Sequence, residues 1–104
     1  MIVKLKKDYK KYNLVADKNY NVLGIEADDY RIINENNEPI LYPTEIFDII
    51  DNTEPDDWIT EYGEDGERYS YPKELMSIGF FEDYFDGNKK VEMDLKNYIL
   101  SHST

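Results

Sequence analysis

The chain of 104 residues has no cysteine, a single histidine and few prolines and glycines. Without cysteine it forms no disulfide and no thiolate metal site, as is typical of proteins in a reducing cytoplasm. The histidine, His102, lies close to the last residue, where chains are usually poorly ordered, so we expect no catalytic role for it. Phosphate-binding loops, nucleophile elbows and metalloprotease helices are also missing. We therefore predict that the protein is not an enzyme and has no catalytic residue, cofactor or metal ligand.

Long apolar runs are missing as well. Neither a signal peptide nor a membrane-spanning segment is predicted, so we expect a cytoplasmic protein that does not contact the membrane. A chain of this length forms one domain with one modest core, predicted over residues 1–104.

Positively charged residues are scarce and unevenly distributed. The chain has 12 Lys and Arg against 23 Asp and Glu, a formal net charge of −11. Residues 1–20 hold six Lys and two Asp, a net charge of +4, so the other 84 residues carry −15. Nucleic acid is bound by a contiguous basic patch, so direct nucleic-acid binding is not predicted. A basic protein partner, in contrast, would be attracted and steered by the acidic part.

One stretch of the sequence occurs twice in related form, at a constant offset of 29. Residues 34–47 read NENNEPILYPTEIF, and residues 63–76 read GEDGERYSYPKELM. The identical pairs are Glu35 with Glu64, Glu38 with Glu67, Tyr42 with Tyr71, Pro43 with Pro72, and Glu45 with Glu74. Proline keeps the residue before it extended and suits the first position of a helical turn. Each copy is therefore predicted to be a tight turn, a strand that ends in Tyr-Pro, and one turn of helix.

Alternation of apolar and polar residues predicts strands through the first two thirds of the chain. The predicted strands are 2–6, 20–26, 30–33, 38–42, 48–50, 58–62 and 69–71. Asn36-Asn37 and Asp65-Gly66 are typical of type I′ turns, which predicts a hairpin around each pair. The polar segment 51–57 separates the two halves of the chain.

The last part of the chain changes to a helical pattern. Apolar residues from Val91 to Ile99 recur at the spacing of one helix face, which predicts an α-helix over about 88–101. Asp86 or Asn88 is the expected N-cap. The aromatic segment 80–85 is too short for a free surface helix, and we expect it to fold back as a turn under the core.

The order of several short motifs resembles a known fold. These are YNVLGI at 20–25, YR at 30–31, NN at 36–37, PTEI at 43–46 and FDII at 47–50. They resemble the second half of an SH3-like barrel. The resemblance implies an SH3-like barrel at residues 1–50. Together with the second hairpin at 57–71 and one C-terminal α-helix, both predicted from the sequence pattern, this gives a mainly β domain. The alternative is an α+β domain in which that helix backs an open antiparallel sheet.

The resemblance does not carry over a ligand. Peptide-binding SH3 domains have aromatic residues at the places taken here by Asp29 and Ile46, so recognition of proline-rich peptides is not expected. The chain as a whole, with W…YPxEL…GFFEDYFDG, also resembles small acidic proteins of low-GC bacteria, some of which are similar to immunity proteins of toxin systems. This second resemblance implies a protein that neutralises a basic partner.

The second copy combines acidic residues with tyrosines, as tight protein interfaces often do. The predicted partner-binding residues are Glu61, Tyr62, Glu64, Asp65, Glu67 and Tyr69. The first function hypothesis is a non-enzymatic protein-binding module, an acidic inhibitor or immunity-type protein with a basic protein partner. A merely solvated acidic face explains the same composition and stays open as an alternative.

Two further hypotheses belong to other classes. A structural or regulatory adaptor would make its contact through the basic segment Lys4 to Lys11. A small-molecule or cation-binding domain would use a pocket or a carboxylate cluster such as Glu82, Asp83 and Asp86. The loop around Gly87 does not have the EF-hand pattern, and helix capping by Asp86 explains that residue better.

Overall fold

A computed structural model describes residues 1–102, and the last two residues of the predicted domain 1–104 lie outside the described residues. The fold is mainly β. The strands are β1 (Ile2–Leu5), β2 (Asn19–Asn21), β3 (Gly24–Glu26), β4 (Asp29–Ile33), β5 (Pro39–Pro43), β6 (Phe47–Asp51), β7 (Trp58–Tyr62) and β8 (Arg68–Pro72). The helices are α1 (Phe80–Phe85) and α2 (Lys89–Ser101), and short 3-10 turns cover Lys10–Tyr12, Thr44–Ile46 and Lys73–Leu75.

The strands form two antiparallel sheets. The order is β2-β1-β6 in the three-stranded sheet and β5-β4-β3-β8-β7 in the five-stranded sheet. Neither sheet closes on itself within residues 1–102. The predicted mainly β class with a C-terminal helix is confirmed, whereas a closed barrel is not formed by these residues.

The chain crosses between the sheets at a point where one continuous strand, 20–26, was predicted. The backbone N–H of Val22 donates to the Met1 carbonyl at 2.9 Å, and that of Leu23 donates to the Arg31 carbonyl at 2.8 Å. Val22 is buried in a core shared by the two sheets, while Leu23 is buried in a second core under the helices. The prediction of one strand was wrong because adjacent residues are held by different sheets.

The five-stranded sheet separates these two cores, so the prediction of a single core was wrong. Ile25 and Ile32 pack with residues of the three-stranded sheet in the first core. Tyr71 packs with Phe80 and Phe81 of α1 and with other residues of the helical side in the second core. The sheet is therefore buried on both faces near its centre.

The doubled sequence is also a doubled structure. Adding 29 to the bounds of β4, β5 and the 3-10 turn Thr44–Ile46 gives the bounds of β7, β8 and the 3-10 turn Lys73–Leu75. The pairing registers correspond residue by residue, from Asp29↔Pro43 with Trp58↔Pro72 onward. Residues 29–46 and 58–75 are therefore two copies of one hairpin followed by one 3-10 turn, as the repeat predicted.

The predicted turn type was wrong in both copies. A type I′ turn needs positive φ at both central residues, but only Asn37 in the first copy (φ 63°) and Gly66 in the second (φ 79°) have it. The amide of each of these donates to a carbonyl three residues earlier, at 2.9 Å and 3.0 Å. Each turn is thus a three-residue loop with one left-handed residue at its end. The pairs Asn-Asn and Asp-Gly suit both turn types, so the sequence does not distinguish them.

The helical region follows the prediction in part. The helix predicted over about 88–101 is confirmed as α2, and the Asn88 side chain caps it by accepting from the Val91 amide at 3.1 Å. The segment 80–85 is a short α-helix, not only a turn, and it buries Phe80 and Phe81. Within residues 1–102, no helix has both the length and the apolar character needed to cross a membrane.

Candidate functional site

The β7–β8 hairpin, together with the segment that leads into it, is the most acidic part of the molecule. Residues 54–68 hold seven Asp or Glu and a single basic residue, Arg68. The Arg68 guanidinium donates to the Glu54 carboxylate and to the Ser70 hydroxyl, the latter at 2.7 Å. Since its one positive charge is paired internally, the hairpin presents an excess of negative charge.

The hairpin is joined to the rest of the sheet by a short ladder. Strand β8 pairs with β3 through Ile25↔Ser70 and Glu26↔Tyr69, and the Ala27 amide adds a hydrogen bond to the Arg68 carbonyl at 2.7 Å. So short a ladder needs support from side chains to fix the hairpin in place.

A buried polar cluster provides that support. Arg31, only 8% exposed, donates through Nε to the Tyr71 hydroxyl at 3.0 Å and through Nη2 to Glu26 Oε2 at 2.5 Å. Its third bond runs from Nη1 to the Pro39 carbonyl at 3.0 Å, and its guanidinium lies 4.1 Å from the centre of the Phe81 ring. The Tyr71 hydroxyl donates in turn to Glu26. A charge buried with this many partners is satisfied, and the cluster joins β8 to β3 and β4.

Tyr71 is positioned by the absence of a side chain at Gly24. A Cβ atom at Gly24 would lie 2.2 Å from ring carbons of Tyr71 and 2.8 Å from the Ser70 carbonyl oxygen. Burial raises the pKa of the Tyr71 hydroxyl, and the hydrogen bond to Glu26 adds to the rise, while the Arg31 charge opposes it. Tyr71 is therefore a neutral hydrogen-bond donor throughout the physiological pH range.

The C-terminal helix holds the other end of the hairpin. The Tyr98 hydroxyl donates to the Asp57 carboxylate at 3.3 Å, and His102 Nε2 lies 3.4 Å from the same oxygen. Burial raises the pKa of the Tyr98 hydroxyl, and the nearby Asp57 carboxylate raises it further. The start of β7 is therefore fixed against α2.

The predicted partner-binding residues do not share one face. Side chains alternate between the faces of a strand, and Glu61 pairs with Tyr69 while Tyr62 pairs with Arg68. Glu61 and Tyr69 are thus together on the face that carries Tyr71, and Tyr62 lies on the opposite face, 72% exposed. Glu64 and Asp65 are exposed at the tip of the hairpin.

Glu67, the last of the predicted residues, is part of the turn itself. In the first copy, the Asn34 side chain accepts from the Asn36 amide at 2.9 Å. The second copy has Gly63 in that place, and the Glu67 carboxylate lies over it and accepts from the equivalent Asp65 amide at 3.0 Å. The Glu67 carboxylate therefore replaces a missing side chain, which makes its role in the turn structural.

Two other surfaces correspond to the alternative hypotheses. A cleft of about 710 Å³ lies between the first residues of the chain, the turn after β4 and the end of α2, with Trp58 and Tyr98 in its wall. At its rim Lys18 pairs with Glu35 at 2.7 Å, a contact that lowers the pKa of the Glu35 carboxyl. In the basic N-terminal segment, the ammonium groups of Lys7 and Lys11 lie 5.2 Å and 5.0 Å from the rings of Tyr9 and Tyr12, respectively.

No group of three or more metal-ligating side chains is found within residues 1–102. Glu82 and Asp83 lie in the first turn of α1, and Asp86 follows its last residue. Asn88, not Asp86, caps α2.

Sequence reasoning missed the buried cluster of Arg31, Glu26 and Tyr71. In the sequence Arg31 is part of the YR motif at 30–31, and its partner Tyr71 is 40 residues away along the chain. The available signal was an arginine inside the apolar strand YRII next to a strand that contains glycine. A charge at such a position must be paired when the strand is buried.

Comparison of the chain with known protein families, with curated proteins and with solved structures found no match. Function is therefore inferred from the charge and geometry of the described residues.

Proposed function

We propose that the chain is a non-enzymatic protein-binding module that docks a basic partner protein on the β7–β8 hairpin. The observation that carries the proposal is the exposed tip, where Glu64 and Asp65 stand beside Tyr62, whose side chain is 72% exposed. Carboxylates steer a basic partner towards the tip, and an exposed tyrosine supplies a large contact at low cost in conformational entropy. The expected location of the protein is the cytoplasm.

Charge reversal at the tip tests this proposal. Glu64→Lys with Asp65→Lys is compared with a control, Glu45→Lys with Asp48→Lys, which reverses two exposed acids elsewhere and changes the net charge equally. From a lysate of the encoding organism, the wild type and the control should both capture the same basic protein, and the tip variant should not. The association rate of that purified protein should fall about tenfold or more with the tip variant at low salt. Equal capture and equal rates for the two variants would contradict the proposal.

The finer form of the proposal is an inhibitor or immunity-type protein that covers the active surface of its partner, for example a nuclease. It is supported by the acidic character of residues 54–68, which imitates a polyanionic substrate. A likeness of residues 1–50 to an SH3-like barrel belongs to the same proposal, supported by the 3-10 turn Thr44–Ile46 between β5 and β6. Titrating the captured partner with the protein should abolish the partner's activity at one equivalent.

A second candidate function is an adaptor that contacts an acidic partner through Lys4 to Lys11. It is favoured by the exposure of Lys7 and Lys11 and by their positions beside tyrosine rings. Capture of an acidic protein that survives charge reversal at the hairpin tip would support this candidate over the first.

A further inference from the structure

The two copies of the repeat differ in what lies beside their first strand. Strand β4 of the first copy is flanked on one side by β5 and on the other by β3. Its equivalent in the second copy, β7, is flanked only by β8 and is the last strand of the sheet. The molecule thus shows this hairpin with a third, antiparallel strand in one copy and without it in the other.

β7 has backbone N–H and C=O groups that point away from β8 and could pair with such a strand. The Gly63 amide bonds to the Glu67 carbonyl at 2.8 Å, and hydrogen-bonded pairs alternate along an antiparallel ladder. Glu61 and Ile59 therefore bond to β8, while the N–H and C=O groups of Thr60 point away from the sheet. The equivalent of Thr60 is Arg31, whose carbonyl accepts from the Leu23 amide at 2.8 Å.

The other sheet edges are protected by proline, by an irregular register or by short length, and β7 has none of these three features. Edge strands are commonly protected by proline, by bulges or by being very short. β5 begins and ends with proline, β6 has an irregular register opposite β1, and β2 has three residues. β7 reads WITEY, pairs in regular register, and is exposed from Ile59 to Tyr62.

We propose that β7 accepts an extended basic segment of the partner protein as an added antiparallel strand, an inference that rests on the proposed function. The segment takes the place that β3 has in the first copy. Carboxylates stand at both ends of β7, with Asp56 before it and Glu64 and Asp65 after it, and Glu61 lies within it. A lysine or arginine opposite Glu61 and others beyond the ends of β7 complement this arrangement.

A second copy of the chain is a poorer occupant. Antiparallel pairing of two β7 strands about Thr60 would bring Asp56 of each copy towards Glu64 and Asp65 of the other. Each copy also carries a net charge of −11. Like charges at both ends oppose that pairing, whereas they favour a basic segment.

The test uses a capped eight-residue peptide that alternates Lys with Val, and a peptoid that carries the same side chains in the same order. The peptoid has the same charge but no backbone N–H group, so it cannot donate the hydrogen bonds that a ladder needs. Trp58, the single tryptophan, is half-buried in β7 and reports binding by its fluorescence. We expect the dissociation constant of the peptide to be at least about tenfold lower than that of the peptoid at physiological salt, since only the peptide can both donate and accept backbone hydrogen bonds.

The protein side is tested by Thr60→Pro, which removes an outward N–H that is not used inside the hairpin. Thr60→Ala is the control, because both variants also lose the hydrogen bond between the Thr60 and Ser70 hydroxyls at 2.7 Å. Thr60→Pro should bind the peptide no better than the peptoid, with its circular dichroism unchanged, whereas Thr60→Ala should keep the preference for the peptide. Equal binding of peptide and peptoid to the wild type would overturn strand addition and leave charge-driven docking intact. Binding of neither compound at low salt would also overturn it, and the capture experiment decides the proposed function separately. If sedimentation shows that the wild type is a dimer and Thr60→Pro is a monomer, a second copy of the chain is the occupant, and this result also contradicts the proposal.

Discussion

The guanidinium of Arg31 bonds to groups on three other strands, β3, β5 and β8. Removing one partner from such a cluster leaves buried polar atoms unpaired, which costs more than the bond itself contributes. Tyr71 is the member of this cluster that belongs to the acidic hairpin. The position of the hairpin therefore depends on the Tyr71 hydroxyl keeping its proton.

Tyr71→Phe should lower the free energy of unfolding by about 1–2 kcal/mol at pH 8. The Tyr71 pKa is raised in the folded state, so above about pH 10 the unfolded chain loses a proton that the folded chain keeps. Wild-type stability should consequently fall as the pH rises through this range, and the fall should be shallower in Tyr71→Phe by up to about 1.4 kcal/mol per pH unit. Urea unfolding between pH 8 and 11 measures both effects.

Tyr62→Phe is the matched control, because the Tyr62 side chain is largely exposed. Its unfolding free energy at pH 8 should stay within about 0.5 kcal/mol of the wild type. A Tyr71→Phe variant that behaves like this control at every pH would show that the cluster does not hold the hairpin.

At the scale of elements, the two hairpins could be predicted from the sequence, but the strands and sheets that pack against them could not. Tyr-Pro and the constant offset of 29 predicted equivalent strands and helical turns because these depend on local conformational preferences. The crossing at Val22 and Leu23 depends on which sheet binds each amide, and the partners are residues that are not neighbours in the sequence. The division of the predicted docking residues between two faces follows from the alternation of side chains along a strand, which puts the neighbours Glu61 and Tyr62 on opposite faces in any register. Only the pairing of Glu61 with Tyr69 depends on the register.

The equivalence of the two turns can be tested by exchange. Gly63→Asn restores the residue of the first copy, whose side chain accepts the amide hydrogen that Glu67 now accepts. Gly63 has no positive φ, so the backbone accepts an asparagine there once the flexible Glu67 side chain moves out of the place that its Cβ would take. We expect thermal or urea unfolding to show no loss of stability, and a gain of up to about 1 kcal/mol from the reduced freedom of the unfolded chain.

Gly63→Val is the control for this exchange. Valine displaces the Glu67 carboxylate without offering an acceptor, so stability should fall by about 1 kcal/mol or more. Equal losses for the asparagine and valine variants would contradict the proposed equivalence of Asn34 and Glu67.

At the scale of the whole molecule, the five-stranded sheet has two unlike ends. β5 ends the sheet with prolines that cannot donate to a further strand, whereas β7 ends it with exposed backbone groups. Most of the acidic charge of the chain lies outside residues 1–20, and the largest excess surrounds β7. The repeat thus provides a structural scaffold in its first copy and an open, acidic sheet edge in its second.

Amide hydrogen exchange at Arg31 and Thr60 compares the two edges directly. The Arg31 amide lies against β3 in the first copy, and the Thr60 amide faces outward in the second. In the free protein, we expect slow exchange at Arg31 and at Ile59 and Glu61, which bond to β8, but fast exchange at Thr60. Adding the Lys-Val peptide should slow Thr60 alone among these. Exchange at Thr60 as slow as at Arg31 in the free protein would contradict an open docking edge at β7. An exchange rate at Thr60 that the bound peptide does not change would also contradict it.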